Sequence, residues 1–492
     1  MYRAPSRRVQ IAKRLTSIFV GILIIVSGVA VLTAITLGYG FNKEKGRLER
    51  GGILQVSSKP SGAKLTVNGQ PHFPGANTKI VSEAGDYALV IDKDGYRSWQ
   101  KTVPIQAGNI TWVMYPRLIP KKININKIAD LSDDLIDGLP SGSSKRYAFL
   151  KSSDPLSISI ANLDTEEVKF SQVNIPADIY EAPAEEDPND TFSLELWSGD
   201  ERLILLKHVY GDKKEEWLLI NREKPKESIN LTKMLGANLT KVVFGNNSGT
   251  QLYSIVDGAI RLVDVSDQTI SRPLVEHAHS FSLFEDYVLF VSEPTEQKTQ
   301  QVGYMRKDFK QPRVVEAVPY DGSHPARFDM GRYYDKYYFL VANGRQATLT
   351  RTNTLPHTSD AQIERKIVKN YHLSQPITSA HITDNGQFAT IQDGWSFATY
   401  NLEINQLSST QFQPREGQKP QKLRYLDRYL LWAELDGQLR TYEFDGANQN
   451  TIMPVVARFG ATLSPSGKYI YGVRQIDGEY QLVRAQFLGI KP

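Results

Sequence analysis

Three patterns of apolar and polar positions follow one another along the chain. The first is a long apolar run. No charged residue occurs from position 15 to 42, and residues 18–38 are dominated by Ile, Val, Leu, Ala and Gly. At about 1.5 Å per residue that run reaches about 32 Å, the thickness of a hydrocarbon core. Lipid offers no hydrogen-bond partners, so a segment crossing it closes its own backbone bonds and is a helix. Tyr39 and Phe41 stand where an aromatic belt belongs. The pattern predicts a basic tail over 1–17, a transmembrane helix over 18–40 and a linker over 41–51.

A cleaved signal peptide is the competing reading. Its apolar core runs about 7–15 residues and ends at a small-residue cleavage site. Here the exit reads Thr36-Leu37-Gly38-Tyr39-Gly40, so an uncleaved anchor is expected. The chain contains no cysteine, which excludes a cysteine-acylated lipoprotein, disulfides, thiolate metal sites and cysteine nucleophiles.

The second pattern covers 52–118 and consists of short alternating runs between turn residues. Ile53-Leu54-Gln55-Val56-Ser57 is followed by the turn Pro60-Ser61-Gly62-Ala63. Lys64-Leu65-Thr66-Val67 then leads into Asn68-Gly69, a strong hairpin signal because both residues tolerate positive φ. Gly85–Ile91, the turn Asp92-Lys93-Asp94-Gly95-Tyr96, and strands near Trp99–Val103 and Ile110–Met114 complete a small β-sandwich. Asp92-Lys93-Asp94-Gly95 imitates the start of a calcium loop. Tyr96 and Val103 occupy positions that need oxygen ligands, so a plain turn is expected.

This stretch resembles the PEGA family. The match rests on Ser58-Lys59-Pro60-Ser61-Gly62-Ala63, Val67-Asn68-Gly69, Gly85-Asp86-Tyr87, and Lys93-Asp94-Gly95-Tyr96 followed by Trp99. The eponymous Pro-Glu-Gly-Ala reads Pro-Ser-Gly-Ala here. The resemblance implies a non-catalytic β module of cell-surface and envelope proteins, with no catalytic residues to carry over.

The third pattern fills 121–492. A Gly/Asp/Ser turn, an apolar strand, a second turn and another alternating strand recur. Copies begin near Tyr147, Leu203, Leu252, Tyr287, Tyr337, Phe388, Tyr429 and Tyr469, about 46 residues apart on average. Four-stranded propeller blades need about 40–50 residues. Asp257-Gly258, Asn343-Gly344, Asp393-Gly394, Asp436-Gly437 and Asp477-Gly478 supply tight hairpins within the copies. The spacing predicts a β-propeller of about eight blades, with seven as the alternative. The Tyr287 copy is short and the Tyr337 copy carries an insertion. Lys122-Ile123-Asn124-Ile125-Asn126 is expected to give its strand to the last copy and close the ring. The turn Ser464-Pro465-Ser466-Gly467-Lys468 is similar to that of TolB-like and WD40-like propellers, although Thr383-Asp384-Asn385-Gly386-Gln387 shows how far other copies have drifted. The fold class is therefore all-β in its soluble part, behind a single N-terminal transmembrane helix.

Charge sharpens this division. The net +4 separates into +5 over 1–17, +5 over 18–120 and −6 over 121–492. Arg3, Arg7, Arg8, Lys13 and Arg14 precede the apolar run with no acid among them. The positive-inside rule then places the N-terminus in the cytoplasm and the long C-terminal part outside. The acidic balance of the third region argues against nucleic acid as its partner.

Candidate chemistry is sparse. There is no Walker A loop, no G-x-S-x-G elbow, no H-E-x-x-H and no dinucleotide fingerprint. His277-Ala278-His279, beside Glu276, places two imidazoles on one side of an extended strand. A metal needs three or four ligands, and His208, His324, His357, His372 and His381 are scattered among copies, so a surface pair is expected. The acidic stretch Glu181–Asp190 reads as a solvated loop. Tyr333, Tyr334, Tyr337 and Tyr338 read as space-filling aromatics between blades rather than a ligand platform. No catalytic, cofactor-binding or metal residue is assigned, and no cofactor is expected. The expected protein is a single-span membrane-anchored envelope protein with a binding or scaffolding role toward an envelope protein or cell-wall glycan. The alternatives are a propeller-based lyase or glycosidase acting on an envelope polymer, and an envelope sensor or assembly factor.

Overall fold

The computed structural model describes residues 7–36, 39–42, 47–181, 190–356, 363–412, 417–418 and 420–488. It separates into two compact units, residues 1–122 and 123–492.

In the first unit a helix runs Arg7–Thr36, so it begins inside the stretch read as a tail and stops short of residue 40. Its segment Leu15–Ala34 is long and apolar enough to cross a membrane, a test that a signal sequence also passes, and none of it is buried. Where a linker was expected, Tyr39–Asn42 pairs antiparallel with Arg47–Arg50.

The sandwich follows. One sheet has three strands, with Gly52–Val56 between Thr78–Ser82 and, in parallel, Ile110–Val113. The other places Gln70–His72, Lys64–Val67, Gly85–Asp92 and Trp99–Ile105 side by side. The alternation is what makes the core: Leu54, Val56, Leu65, Leu89, Ile91, Trp99, Val103 and Val113 are buried together. Asn68-Gly69 forms the hairpin turn with both residues at positive φ. Asp92–Tyr96 is a plain turn, in which the Tyr96 amide donates to the Lys93 carbonyl at 3.0 Å.

In the second unit the described residues form eight four-stranded antiparallel sheets. Blades 1 to 7 span residues 135–174, 191–230, 239–270, 278–319, 327–372, 379–411 and 424–454. Blade 8 combines residues 461–486 with the strand Ile125–Ser132. Every sequence anchor lies in or next to the second strand of its blade. Asp257-Gly258, Asn343-Gly344, Asp393-Gly394, Asp436-Gly437 and Asp477-Gly478 each join the second strand to the third. At Asp257-Gly258, Asp436-Gly437 and Asp477-Gly478 both residues have positive φ, the conformation whose twist matches the flanking strands. The ring closes as expected in kind but with a shifted register: the closing strand is Ile125–Ser132, paired from Ile125 opposite Ala485 to Ser132 opposite Tyr480.

The phrase that marks the copies has a common physical origin. In blade 8 the Ser464 amide donates to the Tyr469 carbonyl at 2.8 Å, the Tyr469 amide donates back to Ser464 Oγ at 3.1 Å, and Gly467 sits at φ +70°. The same bonds recur from Ser141 to Arg146, from Ser198 to Leu203 and from Thr383 to Phe388. The positive-φ position is then Ser144, Glu201 or Gly386. A hydroxyl that bonds a backbone amide a few residues on is the usual device of such turns. In these four blades it connects the innermost strand to the second.

Candidate functional site: a cavity among the innermost strands

In blades 3 to 6 the innermost strands are Leu239–Phe244, Ala278–Phe284, Arg327–Tyr333 and Ser379–Ile382. With part of the second strand of blade 4 they line a partly open cavity of about 400 Å³, whose lining includes Lys241, Phe281, Arg327, Phe328, Asp329 and His381. The charged side chains arrive there because alternate positions of an inner strand face one side.

Asp329 holds the cavity wall in place. One carboxylate oxygen accepts from the Met330 amide at 2.9 Å. The other accepts from the Ile382 amide at 2.7 Å and lies 3.0 Å from His381 Nδ1. Asp137 does the same between blades 1 and 2, accepting from the amides of Gly138 and Leu194, each at 2.7 Å. An inner-strand aspartate that captures the amide of the next blade thus welds neighbouring blades twice in the ring.

His381 faces the Tyr425 ring edge-on, with centroids 5.5 Å apart. Burial of its imidazole works against the charged form, but the hydrogen bond and charge of Asp329, with the charge of Asp384, outweigh it and raise its pKa above the usual 6.5. The sign follows: stabilisation by the pair is complete below about 6.5 and is lost as pH rises through the raised value. Asp329→Asn is expected to return the His381 titration to lower pH, read as the imidazole proton shifts in an NMR titration. An unmoved midpoint would show that Asp329 is not the cause. Lys241 donates to the Phe281 carbonyl and lies over the Phe281 ring, 4.9 Å from its centroid. Burial lowers its pKa, and the nearby Arg327 charge lowers it further.

Of the residues singled out in the sequence, His381 lines the cavity, while the histidine pair, the acidic stretch and the tyrosine cluster lie elsewhere. His277 is in the left-handed region at φ +51° and the strand begins at Ala278, so His277 and His279 do not share an extended strand. Both are exposed, and His279 Nδ1 is 3.5 Å from Glu293. His357 lies outside the described residues, as do positions 182–189 of the acidic stretch. The ends of that stretch are anchored rather than free: Glu181 pairs with Lys233 at 3.0 Å, and Asp190 with His208 Nε2 at 2.8 Å. Tyr333, Tyr334, Tyr337 and Tyr338 belong to one hairpin of blade 5. Tyr338 is buried, and Tyr334 is 78% exposed in the turn. Lys241, Arg327 and Asp329 carry no sequence signal of a site because the repeat is marked by second strands and they lie on first strands. Their only mark is a charged residue in the short apolar run before the anchor.

Comparison with known proteins identifies one segment of the chain by sequence. Residues 51–117 match the PEGA domain. No curated protein matches the chain in sequence. Among solved structures, the Dos1 propeller is 11% identical at a TM-score of 0.46, covering 75% of this chain and 97% of its own. Hsv2p of Kluyveromyces lactis is 10% identical at 0.40, covering 64% and 97%. An oligogalacturonate lyase from Vibrio parahaemolyticus is 11% identical at 0.38, covering 72% and 98%. At such scores the propeller assignment rests on the sheet topology of this chain itself. The chain carries one apolar N-terminal helix, a PEGA domain and a β-propeller.

Proposed function

We propose that this is a bitopic membrane-anchored protein of the cell envelope, whose propeller binds a protein or glycan partner outside the cytoplasm without turning it over. The observation that carries the reading is the unburied apolar segment Leu15–Ala34, in series with a PEGA domain and a propeller. An apolar helix of that length with no cover from its own chain finds it in lipid. The basic residues before it favour a cytoplasmic N-terminus. The propeller offers the cavity among its inner strands as the binding mouth, of a size usual for ligand sites.

The test is protease added to intact cells that carry an epitope tag after residue 488. Loss of the tag signal, with the protein retained in the membrane fraction, is the expected result. Protection in intact cells with cleavage in inverted vesicles would reverse the topology. One observation favours a second reading, an enzyme: His381 paired with Asp329 beside the cavity is an arrangement suited to proton transfer. Turnover of an envelope polymer by the purified chain, abolished by His381→Ala, would establish it in place of simple binding.

A further inference from the structure

The charges around the cavity do not balance. Three basic groups line it, from Lys241, Arg327 and His381, against the single carboxylate of Asp329. That carboxylate is already committed to two backbone amides and to His381. Lys241 has a neutral partner, the Phe281 carbonyl. Arg327 makes no ion pair among the described residues, and its buried Nε has no hydrogen-bond partner.

At three other partly buried cations this fold supplies the missing charge, although Arg313 also goes without one among the described residues. Partly buried Arg146 pairs with Glu201 at 3.1 Å, Lys207 with Glu215 at 2.7 Å, and Arg365 with Glu316 at 3.0 Å. Arg424, on the innermost strand of blade 7, donates to the Ala457 carbonyl at 2.6 Å. Arg327 does neither. A partly buried guanidinium whose buried N–H has no partner, next to a second cation, is unfavourable in the free protein. The arrangement becomes favourable when an anion enters between them.

We infer that the cavity is an oxyanion site, in which Arg327 and Lys241 receive one carboxylate or phosphate group. The body of the ligand, about the size of a single sugar, then lies against Phe281 and Phe328. The inference rests on reading the inner-strand cavity as the binding mouth and names the ligand class that fits it.

The experiment is thermal unfolding of the full chain in detergent micelles, with D-glucuronate, inorganic phosphate or chloride at matched ionic strength. A saturable rise in Tm with glucuronate or phosphate, absent with chloride, is expected. Glucuronate alone would mark a carboxylate ligand, and phosphate alone a phosphate ligand. Arg327→Gln is expected to weaken that binding at least tenfold and to leave the Tm of the unliganded chain equal or higher, since it removes an unpaired charge. Arg327→Lys should keep part of the binding. Three results would overturn the inference: no saturable rise with any probe, an equal rise in chloride, or a rise retained in Arg327→Gln. Failure of Arg327→Gln to fold would also overturn it, by showing Arg327 to be a structural cation. None of these outcomes touches the membrane topology, which protease accessibility reads separately.

Discussion

Replacing Phe459 with alanine is expected to destabilise the propeller by about 3–5 kcal/mol, the usual cost of emptying a buried aromatic site. Phe459 ends the short 3-10 turn Ala457–Phe459 and has no exposed surface. It lies in the core that joins the two ends of the ring, among Leu135, Tyr147 and Phe149 of blade 1 and Tyr471, Val473 and Leu482 of blade 8. Tyr147 donates its hydroxyl to the carbonyls of Phe459 and Gly460 at 2.8 and 2.9 Å. Arg458 lies over the Phe459 ring, 4.5 Å from its centroid, and donates to Tyr480 at 2.8 Å. A cavity there loosens the one seam that local sequence cannot hold, because its two sides lie more than three hundred residues apart. Denaturant or thermal unfolding of the full chain checks the value. Tyr334→Ala, at an exposed turn, is the control and should stay within about 0.5 kcal/mol of the parent. A Phe459→Ala loss no larger than the control's would mean that ring closure does not depend on this core.

The second large effect belongs to Glu216 in blade 2. Its carboxylate is buried, 2.7 Å from His208 Nδ1, and accepts from the Glu181 amide at 2.8 Å and from Asn230 Nδ2 at 2.5 Å. His208 is enclosed as well, stacked on Phe192 with centroids 4.1 Å apart and on Tyr210 at 5.0 Å. Glu216→Ala leaves His208 Nδ1 and the Glu181 amide without their acceptor in a buried site and should cost about 3–5 kcal/mol. Burial tends to raise the pKa of Glu216, but the bonds from His208, the Glu181 amide and Asn230 outweigh it, so the pKa is lowered below the usual 4.5. Stabilisation by this carboxylate is therefore complete above about 4.5 and is lost as pH falls through the lowered value. Glu216→Gln keeps the shape and removes the charge. Its stability should fall less steeply than the parent's on acidification below pH 4.5, and parallel pH profiles would show that the charge of Glu216 is not what the site requires.

Much of the architecture was legible before any coordinates. The uncharged run over residues 15–42 marks the helix, and the turn dipeptides mark hairpins because positive φ is cheap only for Gly, Asn and Asp. The copies around Tyr147, Leu203, Phe388 and Tyr469 were readable because one hydroxyl-based turn fixes the spacing from its Ser or Thr to the next strand. These are local signals, written within a few residues. The boundaries that moved were also local contests. The helix extends back to Arg7, through the basic stretch that topology had marked as a tail. Residue 132, not 126, ends the closing strand, because pairing with the segment Glu479–Gln486 decides its register.

The candidate site was not legible, since its charges come from three different repeats. Lys241, Arg327 and His381 lie in three different blades, and in the sequence each reads as an ordinary polar position of a short strand. What the sequence determines by itself is the kind of element at each place and the period at which elements recur, because turns and alternation act over a few residues. What only the tertiary structure decides is which repeats face one another across the ring. Radial packing brings Asp329 to the Ile382 amide, joins Phe459 to Tyr147, and brings Arg327 and Lys241 to one cavity, where Arg327 makes no ion pair among the described residues.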